Sequence, residues 1–237
     1  MPAALNLLCA GAAQGLVKAL EAPFNGQTGA ILAGRFGAVG AMKEALLAGA
    51  PCDLMIVTEA MVSALCDSGQ LLRAGRAALG RVRTGLAVRA GAALPDVASP
   101  EALRAALLGA PAIYFPDPAL VTAGIHFAKV MRQLGIFDAL TPRFCTYPNG
   151  ATAMRELAAC TEPGVIGCTQ ITEILYTSGI VLAGALPTQF ELATAYTAAL
   201  SATASQPALA AQFIELLAGT GSRDLRAAGG FEFSEPG

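Results

Sequence analysis

The stretch Tyr114-Phe-Pro-Asp117-Pro-Ala-Leu-Val-Thr122-Ala-Gly124-Ile-His126-Phe-Ala-Lys129 reads as a short apolar strand, a Pro-bounded turn and a helix that opens on small residues. The first turn of a helix carries backbone N–H groups with no intrahelical partner, and the helix dipole is positive there. Ala123 and Gly124 have almost no side chain, so these amides are candidates to hold an anion directly. The same arrangement recurs at Ala10-Gly11-Ala12-Ala13 and at Pro148-Asn149-Gly150-Ala-Thr152. Repeated cradles of this kind suit a protein that grips a small anion.

Outward from that stretch, strand and helix patterns alternate. Apolar runs at 5–10, 28–32, 54–58, 82–89, 112–115, 143–147, 165–169 and 180–183 read as strands. Helical patterns fall at 14–21, 39–47, 59–68, 123–134 and 151–160, with a final pair at 192–201 and 207–217. Gly49-Ala-Pro51 stops the second helix. Ser99-Pro100-Glu101 starts another, with a serine N-cap, proline at the first position and an acid in the first turn. Asp53 and Asp117 stand beside prolines at strand ends and read as turn formers. Strands separated by helices argue for parallel sheets in an α/β fold. The 237 residues suit two lobes of about 100 residues each. The chain crosses near 80–86 and returns near 184–187, so the expected lobes are 1–82 plus 187–237, and 83–186.

Composition narrows the function classes. Hydrophobic residues make up 54% and charged residues 14%, which argues against disorder. A net charge of −2 with no Lys/Arg run gives nucleic acid no purchase. The longest uncharged apolar stretch, 192–213, holds five Thr/Ser residues, two Gln and Pro207, so it reads as a helix, a loop and a second helix start, and no membrane span is expected. The N-terminal run lacks a basic n-region and is interrupted by Asn6. It reads as the first strand, which points to the cytoplasm, or to the periplasm if a leader has been removed. Six cysteines with no Cys-x-x-Cys and a single histidine argue against a structural zinc site. They read as small buried hydrophobes, with Cys160 and Cys168 the pair whose spacing leaves a bridge open. No Ser–His–Asp set and no Gly-Lys-Ser/Thr loop is present.

The order of Ala10-Gly-Ala-Ala13, Ala48-Gly-Ala-Pro51-Cys-Asp53, Asp117-Pro…Thr122-Ala-Gly124, Leu134-Gly-Ile136, Gly164-Val-Ile-Gly167…Gln170-Ile-Thr-Glu173 and Gly184-Ala-Leu-Pro187 resembles the molybdate-binding class of periplasmic substrate-binding proteins. The resemblance spans essentially the whole chain. It implies a two-lobed, type II periplasmic-binding-protein-like α/β fold, with a hinge and a ligand held in the interlobe cleft. The family's two serine positions fall on Ala12 and near Gly40, its helix-start amides on Ala123 and near Gly150, and its tyrosine on Gln170. Both hydroxyls and the phenol are thus absent. Each unmade bond to a buried charged group costs about 1.5–3 kcal/mol, so the resemblance no longer implies a good tetrahedral molybdate site.

Gly11, Ala12, Arg35, Gly40, Ala123, Gly124, Asn149, Gly150, Gln170 and Thr172 are therefore candidate ligand-binding residues for a larger, planar di- or tricarboxylate. Arg35 has the fork that matches a carboxylate. The same family includes an aconitate isomerase, which moves an allylic proton and needs no cofactor. His126, with an unperturbed pKa near neutrality, and Glu173 are the candidate proton carriers for that isomerase reading. The plainer readings keep His126 as a helix residue and Glu173 as a helix N-terminal carboxylate. The alternative function is a non-catalytic binding protein of an importer for molybdate or another small anion. No cofactor or metal is called for, and homo-oligomerisation is left open.

Overall fold

The computed structural model describes residues 2–233. The chain opens with β1 (Ala4–Ala10), a 3-10 turn (Gly11–Ala13), α1 (Gln14–Thr28), β2 (Ile31–Gly37), α2 (Val39–Leu47), β3 (Leu54–Thr58) and α3 (Glu59–Asp67). There follow β4 (Ala77–Arg89), α4 (Pro100–Gly109), β5 (Ile113–Pro116), α5 (Thr122–Gln133), α6 (Phe137–Leu140), β6 (Phe144–Tyr147) and α7 (Gly150–Ala159). The chain continues through β7 (Ile166–Gln170), α8 (Ile171–Tyr176), β8 (Ile180–Ala185), β9 (Ala193–Leu200), α9 (Pro207–Ala218) and α10 (Arg223–Ala228). Among the described residues, no helix is long and apolar enough to cross a membrane. The contacts divide the chain into one unit that runs to Arg81 and resumes at Thr194, and a second of Val82–Ala193.

In the first unit the strand order is β2-β1-β3-β9-β4. β1 runs parallel to both β2 and β3. Leu54, Met55, Ile56 and Val57 are all fully buried, the pattern of a strand covered on both faces. α1 buries Leu16, Val17, Leu20 and Phe24, and the Phe24 ring meets Phe213 of α9 with centroids 4.8 Å apart. The helix extends past the expected stop and runs through Pro23 to Gly29, whose φ of 68° ends it. An interior proline costs about 3 kcal/mol. Burial of Phe24 one residue later offsets that cost, at about 1.5–3 kcal/mol for a large apolar side chain.

The expected helix over 192–201 is instead the strand β9, antiparallel to β3 with Ile56 opposite Ala198. Its alanines suggest helix, but Thr194, Tyr196 and Thr197 favour a pleated surface, and Tyr196 through Ala199 are buried. Tertiary pairing overrides propensity here.

Asp53 is more than a turn former. Its side chain is 1% exposed. One carboxylate oxygen accepts from Asn6 N at 2.7 Å and Asn6 Nδ2 at 3.1 Å. The other accepts from Ser205 N at 2.7 Å, Ser205 Oγ at 2.9 Å and Gln206 N at 2.8 Å. Burial pushes the Asp53 pKa up, but these donors outweigh it and hold the group below its ordinary value.

The second unit has strand order β4-β7-β5-β6, with β8 antiparallel on the other side of β4. β5 is parallel to β6 and β7. Phe115 packs edge-on against Phe127 and Phe144 at the centre of its core. Residues 187–193, expected in the first lobe, belong to this second unit. Phe190 is buried in its core and Arg83 approaches Glu191 at 3.9 Å, so the return comes after these contacts rather than at Pro187. α4 starts as read, with Ser99 Oγ accepting from Ala102 N at 3.1 Å and Pro100 in the first turn.

Asp53→Asn is expected to destabilise the fold by about 3 kcal/mol at neutral pH, measured by urea unfolding. The native pKa lies below the unfolded value, so the carboxylate stabilises above the ordinary aspartate range and that contribution is lost as pH falls through the native value. The difference between the two proteins should therefore shrink in acid.

Candidate functional site

Each unit presents helix starts at the carboxyl ends of parallel strands. In the first unit, β1 leads into Gly11–Ala13 and α1, β2 into α2, and β3 into α3. In the second, β5 leads towards α5, β6 towards α7 and β7 directly into α8. In open α/β sheets, ligands bind outside the carboxyl ends of the strands, where connections diverge in direction. The chain steps from β5 outward to β6 and then back across to β7.

In the first unit, Ala12 is buried in its 3-10 turn, and no side chain caps the turn or α1. Gly40 is exposed in the first turn of α2, and a side chain there would meet open space. Arg35 is exposed on the edge strand β2, opposite Leu8 in register.

In the second unit, Ala123 and Gly124 are buried at the start of α5. A Cβ on Gly124 would collide with the Pro116 and Asp117 carbonyls. Close packing of helix start on strand end thus explains this glycine. Asp117 forms the expected turn, its Oδ1 accepting from Ala119 N at 2.7 Å and Leu120 N at 3.0 Å. His126 is half-buried, with Nε2 2.7 Å from the Phe190 carbonyl oxygen. A carbonyl only accepts, so Nε2 carries the proton and Nδ1 is left as the basic nitrogen.

Gly150, Thr169 and Glu173 come together with the start of α7. Asn149 caps that helix, its Oδ1 accepting from Thr152 N at 2.8 Å. The Glu173 carboxylate accepts from Thr169 Oγ1 at 2.5 Å and from the backbone N–H groups of Ala151 and Gln170. The amide cradle at the start of α7 thus already faces an anion, supplied by the chain itself. A Cβ at Gly150 would collide with Glu173 Oε2 and Thr169 Oγ1, so only glycine allows this approach. Glu173 is 6% exposed. Burial raises its pKa to about 7 against the three hydrogen bonds that lower it. Near neutral pH such a carboxyl both accepts and gives a proton.

A second polar group follows Thr169 at the end of β7, its side chain on the other face of the sheet. Gln170 is 3% exposed, and neither its Oε1 nor its Nε2 has a hydrogen-bond partner among the described residues. The same holds for Thr84 Oγ1 and Thr172 Oγ1. Thr84 and Gln170 are directly opposite in the β4–β7 pair, which puts their side chains on one face of the sheet. An unmatched buried polar group costs about 1–3 kcal/mol, so a cluster of them calls for a partner. Thr84 and Thr169 escape the sequence reading. The signal for Thr169 was there, since a hydroxyl inside an otherwise apolar buried strand needs a partner. Among the described residues, no group of three or more His, Cys, Asp or Glu side chains is placed to hold a metal ion.

A sequence model of the family described as bacterial extracellular solute-binding protein matches residues 5–232. This chain belongs to that family. Its fold is that of the periplasmic binding proteins. It is similar to the periplasmic molybdate-binding protein of Azotobacter vinelandii, with TM-score 0.79 and 20% identity over 98% of this chain and 100% of that one. It is also similar to a sulfate-binding protein of Mycobacterium tuberculosis H37Rv, with TM-score 0.74 and 16% identity over 99% and 88% of the two chains. At these identities the likeness shows the fold alone. A protein named aconitate isomerase from a Pseudomonas species is 27% identical over 172 residues, 71% of this chain and 62% of that protein. The aligned stretch thus spans less than two thirds of that relative's length.

For Glu173 the native pKa exceeds the unfolded one, so the native state binds the extra proton between the two values and stability falls as pH rises from about 4.5 to about 7. Relative to Glu173→Gln, the wild-type chain should lose up to about 3 kcal/mol across that window, read from paired urea titrations. Gly150→Ala should cost several kcal/mol, about 3, through the forced displacement of Glu173 and Thr169.

Proposed function

We propose that this solute-binding-family chain takes a small di- or tricarboxylate and isomerises it by an allylic proton shift. The observation that carries the reading is Glu173, a buried carboxyl whose pKa is raised to about 7, in the same β7–α8 junction as Gln170 and Thr172, whose side chains have no partner among the described residues. The aconitate isomerase relative supports the same chemistry. In this reading Glu173, ionised, takes a proton from the carbon next to the double bond. The electron pair spreads over the allylic system into the adjoining carboxylate, and Glu173 returns the proton to the far carbon. The double bond moves by one position and nothing else is consumed.

Backbone N–H groups at Gly11, Ala12, Gly40, Ala123, Gly124 and Gly150 are the proposed anion donors, with Asn149 setting the α7 start. They would stabilise the charge that develops as the proton leaves. Gln170 and Thr172 offer uncharged hydrogen bonds suited to carboxylate oxygens, and Arg35 the fork for a terminal carboxylate. His126 is the second proton carrier in this proposal, through Nδ1, because Nε2 is engaged with Phe190. Cell fractionation distinguishes a cytoplasmic from a periplasmic site for the reaction.

The second reading is a binding protein without catalysis, for molybdate or another small anion. The capping of α7 by Glu173 favours it, because that contact gives the carboxylate a structural task.

Incubation of the purified chain with trans-aconitate in deuterated buffer, followed by proton NMR, separates the readings. Isomerisation predicts loss of the allylic signal, slowed at least about 100-fold in Glu173→Gln. That variant should keep the thermal stabilisation by the acid, which is about 2.7 kcal/mol at 100 times the dissociation constant. Stabilisation without exchange in the wild type would favour the binding protein. Stabilisation by molybdate alone would overturn the carboxylate.

A further inference from the structure

The six cysteines divide sharply by environment. Cys9, Cys52, Cys66 and Cys168 are buried, whereas Cys145 and Cys160 are half-exposed. Cys168 lies fully buried on β7, so the Cys160–Cys168 bridge that the spacing left open does not form, and all six thiols are free. Cys145 lies on β6, the edge strand of its unit, directly opposite Tyr114 on β5. In a parallel pair, opposed residues share a face of the sheet. Cys160 follows the last turn of α7, and it packs with Tyr114 and Tyr147 against the same cluster of buried residues around Met154 and Leu157. The rings of Tyr114 and Tyr147 stack with centroids 6.1 Å apart. The Tyr114 hydroxyl engages the Cys160 thiol, and the Cys145 thiol engages Tyr114 in turn. One phenol thus neighbours both of the partly exposed thiols.

We propose that Cys145 and Cys160 are a redox-active pair that closes to a disulfide on meeting a small-molecule disulfide, clipping the end of α7 to the edge strand β6. The Cys145 thiol gives its proton to solvent, and the thiolate attacks one sulfur of the small disulfide, which releases one thiolate. The Cys160 thiolate then attacks the Cys145 sulfur of the mixed disulfide and releases the second. Two protein thiols are oxidised, one small disulfide is reduced to two thiols, and the two protons end on those thiols. Burial pushes the Cys145 thiol up, and the neighbouring charges of Cys160 and Glu162 act in the same direction, so exchange is slow at neutral pH and proceeds in mildly alkaline buffer.

The closed loop would hold Asn149 and Gly150 between its ends, so the start of α7 would be fixed from both sides. Closing a loop of this size constrains the unfolded chain. The proposal stands apart from the carboxylate reading, since it concerns no ligand.

The test treats the folded full-length chain with oxidised glutathione in mildly alkaline buffer, followed by alkylation, proteolysis and mass spectrometry. The expected result is one species that links the peptides of Cys145 and Cys160, with an apparent Tm raised by about 5 °C and restored by dithiothreitol. Cys145→Ser and Cys160→Ser should each remove both the cross-link and the Tm rise. Recovery of both thiols unmodified would overturn the proposal. So would separate, persistent glutathione adducts on the two cysteines, or the same cross-linked Tm rise in Cys145→Ser.

Discussion

The first unit depends on a single buried carboxylate. Asp53 stands just ahead of β3, and its two oxygens gather donors from Asn6 of β1 and from Ser205 and Gln206, which lead into α9. Its backbone continues the same tie, donating to the Asn6 carbonyl and accepting from Ser201 N. These partners are up to 153 residues apart in sequence. The contact therefore fixes where the returning chain re-enters, and so where β9 is inserted beside β3. A buried charge is tolerable only when its hydrogen-bonding capacity is filled, and here five donors fill it. The same demand ties the return segment to this position, because leaving the carboxylate short of donors costs free energy.

In the second unit a comparable demand is met differently. Glu173 has three donors but stays close to neutrality in its pKa, because burial outweighs them. The contrast with Asp53 is instructive. One carboxylate is held firmly ionised and acts as a structural tie. The other is balanced between its two protonation states, and Thr84, Gln170 and Thr172 of the same unit keep hydrogen-bonding capacity that the fold does not use. Groups whose protonation is finely balanced and whose surroundings are incompletely satisfied are what chemistry and ligand recognition require, whereas stability alone disfavours both.

Most of the architecture was legible because it is carried by local signals. Apolar runs such as Leu54–Thr58, the Ser99-Pro100 start and the Gly49 stop appear where the pattern places them. What escaped was set by distant partners. β9 looks helical until its pairing with β3 is known, and Pro23 looks like a helix end until Phe24 is seen in the core. The role of Asp53 rests on contacts across the fold, and the placement of Thr84 on its pairing opposite Gln170, which no local spacing encodes. Gln170 stood out in the sequence because an amide inside a buried strand is anomalous. At Gly124 and Gly150 the missing side chain has a second reason that the sequence does not show: the chain's own carbonyls and side-chain oxygens occupy the space a Cβ would need.

That difference among the glycines bears on how the family can diversify. A side chain at position 124 or 150 would force the neighbouring oxygens to shift, so the spacing there resists substitution. Gly40 has free space around it and an ordinary backbone conformation. Under the proposed reading, a side chain added at 40 would change the first-unit cradle without a clash, whereas one added at 124 or 150 would push neighbouring oxygens aside.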